Sequence, residues 1–302
     1  MKKKKIHTFL IGLILLPILF FALILVLVFL GISDLPLGQT VGVIPIRGTL
    51  VADSTESMLG YSVGTREIIA QIEAADENPS VSVILLDINS GGGSVVAGKE
   101  LERAIQRTEK PVVAYIGEVG ASSAYLIASA ADEIVADEDS LTGSIGAVAV
   151  VENYVGLMKK IGVNMTVIKG GKNKAMLNPY ENFTEEQKQL FQELVDDAYQ
   201  DFKTKVVANR QGRLSEERFD EIADGRVLNG RQALALGLID HTGSRKLALQ
   251  RAAVLGGLEG EPPEKIFYPT RSAFDGIFGE MGFYFGQGLI QGIQQNQVKL
   301  EA

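Results

Sequence analysis

The sequence predicts an α/β protein, a mostly parallel sheet with flanking helices, preceded by one N-terminal transmembrane helix. Three observations predict it. An unbroken apolar run from Phe9 to Ile32 follows a basic start, strand-like and helix-like stretches alternate from Val41 onward, and glycine clusters fall where strands give way to helices. Alternation of this kind marks βα units, whose strands lie parallel beneath covering helices.

Residues 1–8 form a basic N-terminus containing Lys2, Lys3, Lys4 and Lys5. The 24 residues 9–32 carry no charge, and at about 1.5 Å per residue they exceed the roughly 30 Å hydrocarbon core of a bilayer. The positive-inside bias keeps the lysines cytoplasmic and sends the rest of the chain across. A cleaved signal peptide shares the basic start, and Gly31-Ile32-Ser33 would serve as its small-residue cleavage site. Signal peptides, however, have apolar cores of only about 7–15 residues. Length therefore favours an uncleaved, single-pass anchor in the cell membrane, with the main domain extracytoplasmic.

Residues 33–40, with Pro36 and Gly38, read as a linker, and 41–258 as the main domain. Val41–Ile46 is predicted as a strand. Thr65–Asp76 has helical spacing in Ile68, Ile69 and Ile72, Val81–Asn89 is a buried strand, and Val95–Thr108 is a helix. Pro111–Ile116 is the next strand, followed by a small-residue helix over about Ser122–Ala131 and a strand Glu133–Ala136. A helix around Val155–Ile161 and a strand Met165–Lys169 precede a long helix over Thr184–Asn209, capped by Thr184 with Glu185 and Glu186 in its first turn. Residues 259–302 read as a tail whose aromatics, Phe267, Tyr268 and Phe274 among them, are expected to pack on a partner or the membrane.

Composition excludes several functions. The chain has 302 residues and a net charge of -8, which becomes -12 without the four N-terminal lysines. An acidic surface is the opposite of what phosphate neutralisation requires, so no nucleic-acid partner is expected. With no cysteine there is no disulfide, thiolate metal site or cysteine nucleophile. The two histidines, His7 and His241, cannot build a histidine metal cluster, and no metal or cofactor is expected. His7 lies at the membrane boundary, and His241 reads as an exposed turn residue, which argues against a Ser-His-Asp triad.

Three segments carry the chemistry. Asp87-Ile88-Asn89-Ser90-Gly91-Gly92-Gly93-Ser94 places glycines directly after a strand, where they turn backbone N–H groups toward a ligand. It lacks the Gly-Lys-Ser/Thr ending of a phosphate loop. Gly117-Glu118-Val119-Gly120-Ala121-Ser122-Ser123-Ala124-Tyr125 sets Ser122 at another strand-to-helix junction, with small neighbours around its hydroxyl. A serine there is ordinarily a helix cap. The same position also suits a nucleophile, with the Ser123 N–H as one oxyanion donor and Gly93 or Gly92 as the other. Lys169-Gly170-Gly171-Lys172-Asn173-Lys174 is ordinarily a solvated basic loop. A lysine base, whose unperturbed pKa is about 10.4, needs burial or polar neighbours to act near neutrality.

Together with Leu141-Thr142-Gly143-Ser144-Ile145-Gly146, Ile222-Ala223-Asp224-Gly225-Arg226-Val227 and Gly230-Arg231-Gln232-Ala233, these segments resemble the short, single-domain form of the bacterial signal peptide peptidase (SppA) family, over roughly residues 40–245. The resemblance implies a Clp-protease-like (crotonase) fold and a Ser-Lys dyad. Ser122 matches the nucleophile, Lys174 the general base 52 residues later with Pro179 beyond it, and Ser144 the partner that orients the lysine. It further implies a ring-like homo-oligomer in which neighbouring subunits contribute serine and lysine. Gly91 stands where the family commonly has proline, and Ser123-Ala124 where it has two glycines, leaving Ser123 as a minority alternative nucleophile.

The function expected is a membrane-anchored serine endopeptidase that cleaves signal peptide remnants and other extended apolar peptides beside the membrane. The alternatives are a crotonase-like acyl-CoA enzyme, which would use an acidic base, and a non-catalytic membrane scaffold of the same fold.

Overall fold

The structure is a computed structural model that describes residues 39–53, 55–57, 60–62 and 64–268. The anchor expected at 9–32 and most of the tail lie outside the described residues. Among those described, no helix is long and apolar enough to cross a membrane.

In chain order the elements are β1 (Thr40–Arg47), β2 (Thr55–Ser57), β3 (Gly60–Ser62), α1 (Thr65–Glu77), β4 (Val81–Ser90), α2 (Val95–Gln106), β5 (Val112–Ala121) and α3 (Ser123–Ser129). They continue with β6 (Glu133–Ala136), β7 (Leu141–Gly143), α4 (Val155–Ile161), α5 (Glu185–Asn209), α6 (Glu216–Ile222), β8 (Val227–Asn229), α7 (Gly230–Ala235), β9 (His241–Thr242), α8 (Arg245–Leu255) and β10 (Glu264–Ile266). The main sheet runs β10-β1-β4-β5-β6-β9, parallel throughout, with β2 and β3 forming a separate antiparallel pair.

Strand alternation sends neighbouring residues to opposite faces, and both faces are covered. Ile44, Ile46, Ile84, Leu86, Ala114 and Ile116 pack with α1, α2 and α3 on one side. Val41, Val43, Val83, Leu85, Val113 and Val135 pack on Ala248 and Ala252 of α8 on the other. Burial on both faces is what makes β1 and β4 read as continuous apolar runs.

The second half of β5 leaves β6 and pairs with β7 instead, Ala121 standing beside Gly143. β7 in turn pairs antiparallel with β8. This small extension carries the chain past the end of β6 and brings Ser122 and Ser144 onto adjoining turns. Thr184 caps α5 as expected, in a reciprocal capping box with Gln187.

Three expectations are corrected. Met165–Lys169 forms no strand. Among the described residues no strand lies beside it to pair with, and Ile168 is 95% exposed. His241 is not a turn residue, because β9 adds to β6 and sets its Nε2 3.3 Å from Glu133. The tail is not wholly separate from the domain: β1 would otherwise end the sheet, and β10 pairs with it while Phe267 packs against the core.

Candidate active site

Ser122 sits between β5 and α3 with φ 55° and ψ -130°. Among the described residues only Ser122 and Ser144 are non-glycine residues with positive φ. Such backbone is costly for an L-residue and persists where surrounding structure over-determines it, often at functional sites. Here the bracing is visible. The Ser122 N–H donates to the Gly143 carbonyl at 2.9 Å, and the Ser144 N–H donates to the Arg226 carbonyl at 2.9 Å. The Thr142 hydroxyl donates to the Gly120 carbonyl at 2.7 Å. The Asp224-Gly225-Arg226 segment thereby buttresses the Ser144 turn.

The glycine loop closes over the serine turn. A Cβ on Gly92 would lie 2.8 Å from the Ala121 carbonyl oxygen, 2.9 Å from Ser122 Cβ and 3.0 Å from the Ser123 nitrogen, so only glycine fits this approach. A Cβ on Gly93 would meet the Leu50 carbonyl oxygen at 2.2 Å. The pairing with Leu50 uses the Gly92 carbonyl and the Ser94 N–H rather than the Gly93 N–H. Within the loop, the Gly92 N–H donates to Ser90 Oγ, whose hydroxyl donates to the Gly48 carbonyl.

Ser122 is half-buried, whereas Ser123 is buried and its hydroxyl finds no partner among the described residues. Ser123 is wedged against α2, where a Cβ on Gly98 would come within 2.7 Å of Ser123 Cβ. The two serines therefore differ: the first is accessible from the cleft, the second mainly packs α3 on α2. Tyr125, fully buried, donates to the Leu238 carbonyl at 2.8 Å and fixes α3 from below. Burial pushes its phenol far above the ordinary tyrosine range, so it remains a neutral donor.

The cleft over Ser122 is lined by Gly93, Val95, Leu126, Ala147, Ala198 and Phe202, together with Ser123, Gly146, Lys99 and Asp201. Lys174 is not part of this lining. It lies exposed in the loop after α4. Of the three lysines there, Lys169 is paired with Glu181 and Lys172 with Glu186, each at 2.5 Å, while Lys174 has no ion pair among the described residues. The chain thus gathers Ser122, Ser123, Gly92, Gly93 and the Ser144 turn at one place and leaves Lys174 outside it. Lys99 and Asp201 were missed by sequence reasoning. They are 102 positions apart and each reads locally as one more charge on a helix.

A half-exposed serine on a strained strand-to-helix turn, beneath a glycine loop at the carboxyl ends of parallel strands, is the arrangement of a serine-type hydrolase. Comparison with known proteins agrees. Peptidase family S49 matches residues 104–259, and the Clp protease family matches residues 61–135. The chain belongs to peptidase family S49, as an SppA-like serine-type protease. It is 36% identical to "Putative protease MJ0651" of Methanocaldococcus jannaschii over 230 residues, 76% of this chain and 72% of that one. It is 37% identical to "Putative protease slr0021" of Synechocystis over 209 residues, 68% and 74% respectively. With "Putative signal peptide peptidase SppA" of Enterococcus faecium it shares 32% over 205 residues, 66% of this chain and 59% of that one.

Proposed function

We propose that this protease is a membrane-anchored endopeptidase that cleaves signal peptide remnants and other extended apolar peptides through a Ser122–Lys174 dyad shared between neighbouring chains. The observation that carries the reading is the strained Ser122 turn under Gly92 and Gly93. Ser122 Oγ attacks the scissile carbonyl, and the Lys174 amine takes its proton and later passes it to the leaving amine. The Gly93 and Ser123 N–H groups, with Gly92 holding the loop in place, receive the oxyanion. Ser144 orients the lysine.

The position of Lys174 supports a shared site. Its loop belongs to a stretch that exposes apolar side chains in the single chain: Val148 is 88% exposed, Val150 85% and Ile168 95%, and α4 has no buried residue. Apolar surface of that extent marks a face for another protein, and a second copy seated there would carry Lys174 toward a neighbour's Ser122. No cofactor, metal or nucleic acid takes part in this reading. Co-expressed Ser122→Ala and Lys174→Ala chains should recover part of the activity that each lacks alone. Co-assembled mixtures that stay inert would replace the shared site with a dyad inside one chain.

The anchor at 9–32 places the reaction at the outer membrane face. Intact-mass measurement of membrane-extracted protein is expected to show the N-terminal segment retained, and a start near residue 33 would refute this. Surface proteolysis of right-side-out cells should reach peptides containing Lys174. If those peptides were cut only after lysis, the topology would be inverted.

A further inference from the structure

The cleft beside Ser122 contains a charge pair that the dyad does not use. Lys99 of α2 and Asp201 of α5 both line it, Nζ to Oδ2 2.7 Å, with 27% and 40% of their side chains exposed. They begin a polar seam between the two helices. Behind them Lys205 bridges Glu102 at 2.7 Å, Gln106 donates to Asn209 at 2.9 Å, and Asn209 donates to Ser129. Glu102 is buried at 1% exposure, whereas the Lys99–Asp201 pair opens to the cleft. The other walls, Val95, Leu126, Ala147, Ala198 and Phe202, are apolar. A side chain entering beside Ser122 therefore meets apolar surface and two charges already satisfied by one another.

We infer that Lys99 and Asp201 set the charge specificity of this cleft. Cancelled against each other, they admit an uncharged side chain on the residue whose carbonyl faces Ser122. A charged one would lose water and gain no counter-ion. Removing one member exposes the other, and the cleft then favours a substrate of opposite charge. The inference rests on Ser122 being the nucleophile for its placement in the substrate, but not for the charge logic of the cleft.

The test uses the full-length membrane protein and peptides identical except for Leu, Lys or Glu before the cleaved bond. Lys99→Met is expected to raise the Lys-to-Leu ratio of kcat/KM roughly five- to tenfold, and Asp201→Asn to raise the Glu-to-Leu ratio similarly, a modest gain because the pair is partly solvated. Both gains should shrink with added salt. The exchange Lys99→Asp with Asp201→Lys restores a cancelled pair and should return the ratios toward wild type, which a general loosening of the seam would not do. The same peptides are measured for binding by fluorescence anisotropy in a Ser122→Ala background, where no turnover is needed. Ratios and binding order unmoved in both single variants, or moved in the same direction, would overturn the inference. Full hydrolysis by assembled Ser122→Ala would instead sink the nucleophile assignment, while the binding order would still report on the pair.

Discussion

Lys174→Arg, in protein that remains folded and assembled, is expected to hydrolyse peptides about 10²- to 10⁴-fold more slowly than wild type, the range that a positioned general base contributes. Arginine retains length and charge but stays protonated, so it cannot accept the serine proton. Ser122→Ala should be at least as inactive, because dyad members act as a unit and either loss removes the covalent step. Lys172→Ala is the control: Lys172 is 72% exposed and bound to Glu186, and its loss should leave the rate within about twofold. Substantial turnover by Lys174→Arg, measured as peptide hydrolysis across pH, would remove Lys174 from the mechanism.

The largest stability effect is expected at Arg210, fully buried at the end of α5. Its guanidinium donates to both oxygens of Asp240 at 2.9 Å and, from Nε and one terminal nitrogen, to the Gly237 carbonyl. Asp240 also accepts from the Ile134 N–H at 2.8 Å, joining this cluster to β6. Burial pushes the Asp240 carboxyl up, but the hydrogen bonds and charge of Arg210 outweigh it and hold the group below the ordinary aspartate range. A depressed carboxyl contributes stability above its unfolded pKa, about 3.9, and that contribution fades as pH falls through the folded value. Arg210→Met leaves the partly buried Asp240 carboxylate with only the more distant Arg213 guanidinium, 3.8 Å away, a loss of up to about 3–5 kcal/mol at neutral pH. The melting midpoint should drop by roughly 10 °C. The deficit should narrow in acid, where a protonated Asp240 no longer needs a counter-charge. A deficit constant from pH 7 to 3.5 in thermal melts would place the effect in lost packing instead. The segment containing Leu238 also holds Tyr125, so the same substitution should loosen the helix that follows Ser122.

These two cases differ in how much the sequence reveals. The Ser122 turn was legible because its signal is local: a strand pattern, then small residues, then a helix. The long helix was legible from Thr184 and the acids after it. The strain at Ser122 and Ser144 was not, since positive φ in a serine is imposed by the β7 and β8 pairings and leaves no glycine to advertise it. Arg210 and Asp240 lie 30 residues apart and meet only when the sheet edge is built. Met165–Lys169 has the composition of a strand but no partner strand among the described residues, so composition alone misleads. Lys174 is assigned by resemblance alone, and its geometry explains why: among the described residues nothing around it marks a base beyond its freedom from the ion pairs that hold Lys169 and Lys172.

Labelling of the full-length protein with a fluorophosphonate, followed by peptide mapping, tests whether Ser122 is a nucleophile activated by Lys174. One modified residue is expected, Ser122, with labelling lost in Lys174→Arg and retained in Lys172→Ala. Modification of Ser123 in place of Ser122, or undiminished labelling of Ser122 in assembled Lys174→Arg, would contradict it.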